Sequence, residues 1–309
     1  MSMEMIKPRD FIETKEGLIF AAINEDAAFL RYLPCDDGDR VRDGKRYKKV
    51  SSTRSSFEYL EKNYPMYLTN KRFQHCPPER IQRVYDPVEK LREISYSKNR
   101  LARRCLKLSG CFEDVPEENK GVTGSLLVDL AAPTSDIDFV VYGNRHFESA
   151  RKALEDSMEL KSLDEAEWKT YYKKRFPGER ALGFEDFLWH EKRKLNIGKI
   201  DGTVFNLLLV GDKLKLKTGA PVEKLRIRCR VKDAEEAFNT PSIYRVDHGL
   251  VDTIVSFTHT YTGQAREGEE VEVSGMLERT EDGSYRIVVG TTREAEGEYI
   301  KVIYPHAVI

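Results

Sequence analysis

Residues 123–143 read TGSLLVDLAAPTSDIDFVVYG: a Gly-Ser step, ten intervening residues, then Asp136 and Asp138 at the head of an apolar run. A strand bound for the interior normally excludes ionised carboxylates, because taking a charge out of water is costly unless it is paired or metal-bound. Side chains alternate along a strand, so the two aspartates project from one side. Carboxylates that close can share a divalent cation, and Mg²⁺ takes a few such oxygens while keeping other positions for water and phosphate. Upstream, Gly124 lets the backbone approach a ligand, and Gly124-Ser125 opens LLVDL, short enough for one helical turn. Alone, a DxD or a Gly-Ser is more often a surface turn; the fixed gap between them is what restricts the reading.

The rest of the chain bounds what such a site serves. With 309 residues there is room for two or three domains. Lys plus Arg number 51 and Asp plus Glu 52, so no global field marks a nucleic-acid or membrane binder and any electrostatic site is local. Five scattered cysteines without a CxxC pair point to reduced thiols. No apolar span is long enough for a membrane helix, and MSMEMIKPRD carries no signal core, so the expectation is a cytoplasmic protein.

Before the Gly-Ser step, GLIFAAI and AFLRYLP read as strands, and the polar CDDGDRVRDGK separates them from RYKKVSS. SSFEYLEKNYP has a serine cap, and YDPVEKLREI has Asp86 as cap with Pro87 at the first helical position. LARRCLKLSGCF and HFESARKALED flank the aspartate stretch as helices, and EAEWKTYYKKRF and FEDFLWHEKRK continue the helical character. NIGKIDGTVFNLLLVGD is a hairpin about Asp201-Gly202.

Together the glycine, the serine and the two acids would hold a nucleoside triphosphate against metal ions. Gly124, Ser125, Asp136, Ile137, Asp138 and Phe139 resemble the signature of the DNA polymerase β-like nucleotidyltransferase superfamily. The resemblance covers residues 100–215, and the whole chain is similar to uncharacterised archaeal proteins regarded as nucleotidyltransferases. It implies an α+β fold whose central domain is a mixed sheet with helices. It also implies Gly124 and Ser125 near the triphosphate, Asp136 and Asp138 on Mg²⁺ or Mn²⁺, and a third carboxylate on a later strand. Aligning the hairpin turn puts Asn206 at that third position, where an amide can ligate a metal but cannot accept a proton. Asp201 is a candidate to serve in its stead, against the Asp-Gly turn that already explains it, and Asp129 is a candidate to orient a ligand, against a surface place at a helix turn.

After Gly219-Ala220-Pro221 the chain changes character. LRIRCRVK, VDTIVSFTHTYT, EVEVSGMLERT, SYRIVVGTT and EYIKVIYP alternate between turn clusters, and the expectation is an OB-like β-barrel. Arg226, Arg228 and Arg230 share one strand face, suited to a phosphate backbone or to a charged, protected edge. Tyr244, Phe257 and Tyr285 fit either base stacking or the core. The expected modules are 1–98, a small α/β unit; 99–217, the nucleotidyltransferase domain; and 218–309, the OB-like domain. The expected activity passes a nucleoside monophosphate from NTP to an acceptor hydroxyl, with RNA favoured, releasing pyrophosphate. The rival is a non-catalytic nucleotide- or nucleic-acid-binding protein on a degenerate scaffold.

Overall fold

The computed structural model describes residues 6–69, 72–176, 181–212, 216–292 and 295–304; the first five residues of the stretch read for a signal core lie outside them. The chain divides into two compact units, Met1–Leu163 with Leu195–Val210, and Asp164–Lys194 with Gly211–Ile309. These cuts differ from the expected limits at 98/99 and 217/218. The N-terminal strands and the aspartate stretch share one unit, and the helical residues 164–194 group with the C-terminal strands.

The first unit opens with β1 (Phe11–Thr14), β2 (Ile19–Ala22), β3 (Ala28–Pro34), β4 (Arg40–Arg42), β5 (Lys45–Lys49) and, after helix α1 (Thr53–Asn63), β6 (Ile81–Tyr85). They form an antiparallel sheet in the order β4-β5-β3-β2-β1-β6. α1 starts earlier than SSFEYLEKNYP suggests: Ser52 is its cap, in a reciprocal capping box with Ser55, which lies inside the first turn. The CDDGDRVRDGK stretch is more than a separator. It contains β4, and Asp43 and Gly44 both take positive φ (49° and 74°), the turn that a two-residue hairpin requires.

Alternation gives this sheet two apolar faces. One packs Ile12, Leu18, Phe20, Leu30, Leu60 and Tyr67 together. The other packs Phe11, Ile19, Tyr32, Tyr47 and Tyr85 against Leu127, Val128 and Leu130, the residues just after the Gly-Ser step. Each fully buried side chain of this kind contributes about 1.5–3 kcal/mol.

Helices α2 (Pro87–Glu93), capped by Asp86, and α3 (Arg100–Gly110) lead to a second sheet. Its elements are β7 (Lys120–Thr123), α4 (Gly124–Leu127), β8 (Ile137–Tyr142), α5 (Asn144–Asp156), β9 (Ile197–Ile200) and β10 (Thr203–Val210). The order is β7-β8-β10-β9, with β8 and β10 parallel and the outer pairs antiparallel. Asp201 and Gly202 take positive φ (46° and 76°) in the turn between β9 and β10, so the hairpin lies where Asp-Gly marks it.

The second unit contains α6 (Glu165–Arg175), α7 (Phe184–Lys194), β11 (Gly219–Asp233), β12 (Ser242–Asp247), β13 (Thr253–Ser256), β14 (Glu270–Thr280), β15 (Tyr285–Val289) and β16 (Tyr299–Val302). β11 pairs with both β12 and β14, β12 with β13, β13 in parallel with β15, and β15 with β14, so the pairings return to their start; β16 adds to β14. β11 begins earlier than LRIRCRVK suggests, running through Pro221, where a register shift between Pro221 and Glu223 accommodates the missing N–H. Mixed sheets and separate helical segments make the chain α+β. Among the described residues no helix is long and apolar enough to cross a membrane.

Candidate active site

Asp136 directly precedes β8, and Asp138 is its second residue, between Ile137 and Phe139, which are buried in the core. Two neighbours in the sheet fix what surrounds Asp138. On the antiparallel side it faces Thr123, the last residue of β7; on the parallel side it faces Asn206 of β10. The Asn206 amide Nδ2 donates to Asp138 Oδ1 at 3.0 Å. The parallel register of β8 on β10 puts this amide beside the acid, while the two-residue turn sets only the register of β10 on β9.

Gly124 follows Thr123 and turns the chain at φ +70°. A Cβ there would lie 2.3 Å from Asp138 Oδ2, so the backbone and the carboxylate are packed as closely as glycine allows. Ser125 occupies the first turn of α4, and its carbonyl accepts from Leu130 N at 2.9 Å, closing the loop that leads toward the aspartates. The structure thus brings Gly124, Asp138 and Asn206 to one point of the second sheet, with Ser125 and Asp136 adjoining in sequence.

The electrostatics follow from this crowding. Burial raises the Asp138 pKa above the ordinary carboxylate range and the charge of Asp136 adds to it; the Asn206 hydrogen bond, Arg31 and Lys49 pull the other way. Arg9 is a further neighbour. Burial lowers its pKa to about 10, opposed by Asp138 and Tyr142. Its carbonyl accepts from Thr123 Oγ1 at 2.7 Å, and its backbone takes φ 79°, uncommon for a residue with a Cβ. No sequence signal marks it, since a lone arginine before a strand has no periodicity to expose it. Arg31 and Lys49 escape for a related reason: their strands carry ordinary surface charge until the sheet is folded.

The other acids have structural partners. Asp129 Oδ2 pairs with the buried Lys90 at 2.7 Å, and Asp201 pairs with Lys107 at 2.9 Å. Arg104 donates to Thr203 Oγ1, which binds the middle of α3 to the hairpin. Among the described residues no group of three His, Cys, Asp or Glu side chains forms a metal cage. Two carboxylates and a neutral amide are nevertheless hard oxygen donors of the kind Mg²⁺ and Mn²⁺ accept.

In the second unit Arg226, Arg228 and Arg230 are exposed along β11, while Ile227, Cys229 and Val231 are buried behind them. The stripe is partly compensated: Arg228 Nε lies 3.0 Å from Glu272 Oε2, Arg226 sits over the Tyr299 ring at 5.7 Å, and Arg230 donates to the Gly268 carbonyl. Tyr244 is a core residue, its hydroxyl donating to the Tyr261 carbonyl and accepting from Gln264 N.

A parallel strand pair with acids at its head, a glycine turn packed on one of them and an apolar core behind define a nucleotidyltransferase domain, and residues 88–195 match the family model of that description. The match ends before β10, so the place of Asn206 rests on the strand register. Over 337 aligned positions the chain is 39% identical to the uncharacterized protein MJ1086 of Methanocaldococcus jannaschii, covering 96% of this chain and 99% of that one. The chain belongs to the same family as that protein, within the polymerase β-like nucleotidyltransferases.

Proposed function

We propose that this protein is a metal-dependent nucleotidyltransferase that passes a nucleoside monophosphate from NTP to an acceptor hydroxyl, with RNA as the acceptor. The observation that carries the reading is the convergence of Asp138 and Asn206 beside the Gly124 turn, with Asp136 two residues from Asp138 and adding its charge there. Asp136 and Asp138 would hold Mg²⁺ or Mn²⁺, which supplies charge neutralisation for the phosphate oxygens when bound. Gly124 and Ser125 would contact the triphosphate through the turn that the glycine makes at φ +70°. The acceptor oxygen attacks the α-phosphorus, the bond from that phosphorus to the bridging oxygen breaks, and pyrophosphate leaves. The hydroxyl proton passes to solvent, because the amide of Asn206 has no basic site for it.

RNA as acceptor is supported by the second unit. Its ring of strand pairings, with β13 and β15 parallel, fits an OB-like barrel, a fold that presents strands and loops to single-stranded nucleic acid. Arg226, Arg228 and Arg230 are the candidate contacts on that surface. The three modules 1–98, 99–217 and 218–309 remain our proposal for how these functions are apportioned along the chain.

One observation favours a second reading, a non-catalytic binding protein: the amide in the third position already occupies one oxygen of Asp138. Label transfer separates the two. Protein is incubated with each α-labelled NTP, Mg²⁺ or Mn²⁺ and RNA, with Asp136→Ala and Asn206→Asp beside wild type. The expected outcome is labelled RNA from wild type, at least a hundredfold less from Asp136→Ala in line with loss of a transition-state charge contact (about 2.7 kcal/mol or more), and faster transfer by Asn206→Asp. Transfer retained in Asp136→Ala overturns the site; label only from Asn206→Asp establishes the binding reading.

A further inference from the structure

We infer that the N-terminal sheet forms the phosphate-facing wall of the acid-pair site, with Arg31 and Lys49 as the residues that take the polyphosphate of the nucleotide. The inference rests on the reading above that this site binds a nucleoside triphosphate, and it assigns the N-terminal strands a part in that binding.

The sheet is fastened to the Gly-Ser loop at several points. Tyr32 and Tyr47 pack in one cluster with Leu127, Val128 and Leu130. Thr123 Oγ1 donates to the Arg9 carbonyl at 2.7 Å, and Arg40 and Arg42 reach the carbonyls of Leu130 and Val128 at 3.4 Å. The face that carries Tyr32 therefore lies against the segment that begins at Gly124.

Arg31 owes its place to an irregularity. β2 and β3 pair Phe20 with Leu30 and Ile19 with Tyr32, which leaves Arg31 as an extra residue on β3. Leu30 and Tyr32, two apart, would share a face of a regular strand, yet they belong to opposite clusters. The bulge between them breaks the alternation and re-aims the side chains, a device common beside active sites. Lys49 stands opposite Tyr32 on β5 and two residues beyond Tyr47, so it shares the face of both tyrosines. Arg31 and Lys49 are both within electrostatic reach of Asp138, and Tyr32 is within reach of Asp136 and Asp138.

Two carboxylates suited to a divalent cation, faced by a guanidinium and an ammonium, are the complement of a polyphosphate. Its oxygens bind a shared metal on one side and charged N–H donors on the other. Cations serving only to hold Asp138 ionised would be indifferent to added phosphate, and the experiment exploits that difference.

Calorimetric titration of the full chain in Mg²⁺ uses tripolyphosphate, ATP and adenosine as probes, with Arg31→Ala, Lys49→Ala and Lys48→Ala. Lys48 lies on the same strand but on the opposite face, 3.6 Å from Asp37, and serves as the control. The expected result is about tenfold or more weaker binding of tripolyphosphate and ATP by Arg31→Ala and by Lys49→Ala, with Lys48→Ala as wild type and adenosine affinity unchanged. Arg31→Lys should recover part of the loss. Wild-type tripolyphosphate affinity in Arg31→Ala and Lys49→Ala overturns the inference, as does an equal loss in Lys48→Ala or no tripolyphosphate binding by wild type. Because binding is read without turnover, absence of nucleotidyl transfer with Arg31- and Lys49-dependent binding would remove the transferase reading and leave this one standing.

Discussion

Gly124 turns at φ +70°, and the space where its side chain would project is filled by Asp138 Oδ2. Both facts make it irreplaceable by alanine: the backbone would be strained, and the new methyl group would displace the carboxylate. Gly124→Ala should cost about 1–3 kcal/mol in stability and abolish transfer, whereas Ser125→Ala should keep the wild-type melting temperature. Thermal unfolding and label transfer on the same preparations check this; a Gly124→Ala protein as stable and active as wild type would contradict the packing described. The Asp201-Gly202 turn fixes the register of β10 on β9, but the place of Asn206 beside Asp138 comes from the parallel pairing of β8 with β10. Arg9 carries no local signal either, since nothing in its neighbourhood distinguishes it from any exposed arginine.

Among the elements, α7 shows how a buried titratable group is held by its strand partner. His190 is buried, its Nδ1–H donating to the Asp186 carbonyl at 2.6 Å and its Nε2 accepting from Val302 N at 3.1 Å. Burial lowers its pKa to about 3, while Asp186 acts in the opposite sense and Lys194 and Arg193 reinforce the fall. The unfolded chain protonates this ring near pH 6.5 and the folded one does not, so the stability contributed is complete above pH 6.5 and lost as pH falls toward 3. The slope in that window is about 1.4 kcal/mol per pH unit at most. Urea unfolding at pH 7 and pH 5 should show wild type losing at least about 1 kcal/mol more than His190→Gln; equal losses would mean that the imidazole is not held neutral. The sequence placed α7 correctly, but a histidine on a helix does not announce that a distant strand will bury it.

For the molecule as a whole, the two compact units cross the module limits that composition suggests. Within the first unit, the N-terminal sheet and the loop after Gly-Ser share one apolar cluster, so neither face of that contact is complete alone. A chain beginning at residue 99 would expose Leu127, Val128 and Leu130, each worth about 1.5–3 kcal/mol of burial. It should therefore fail to fold cooperatively, with lost near-ultraviolet dichroism and gained binding of an apolar dye; a cooperative melt like that of the full chain would show that the sheet is dispensable. Caps, the Asp-Gly hairpin, the alternating C-terminal strands and the spacing from Gly-Ser to Asp136 were all set by short-range chemistry: hydrogen bonds within a few residues, φ preferences and side-chain alternation. The pairing of β11 with both β12 and β14, the register shift that leaves Arg31 unpaired on β3, and the approach of the first sheet to Asp138 came only with folding. They depend on registers and packing between segments far apart in the chain, and no local preference of the residues involved encodes such distances.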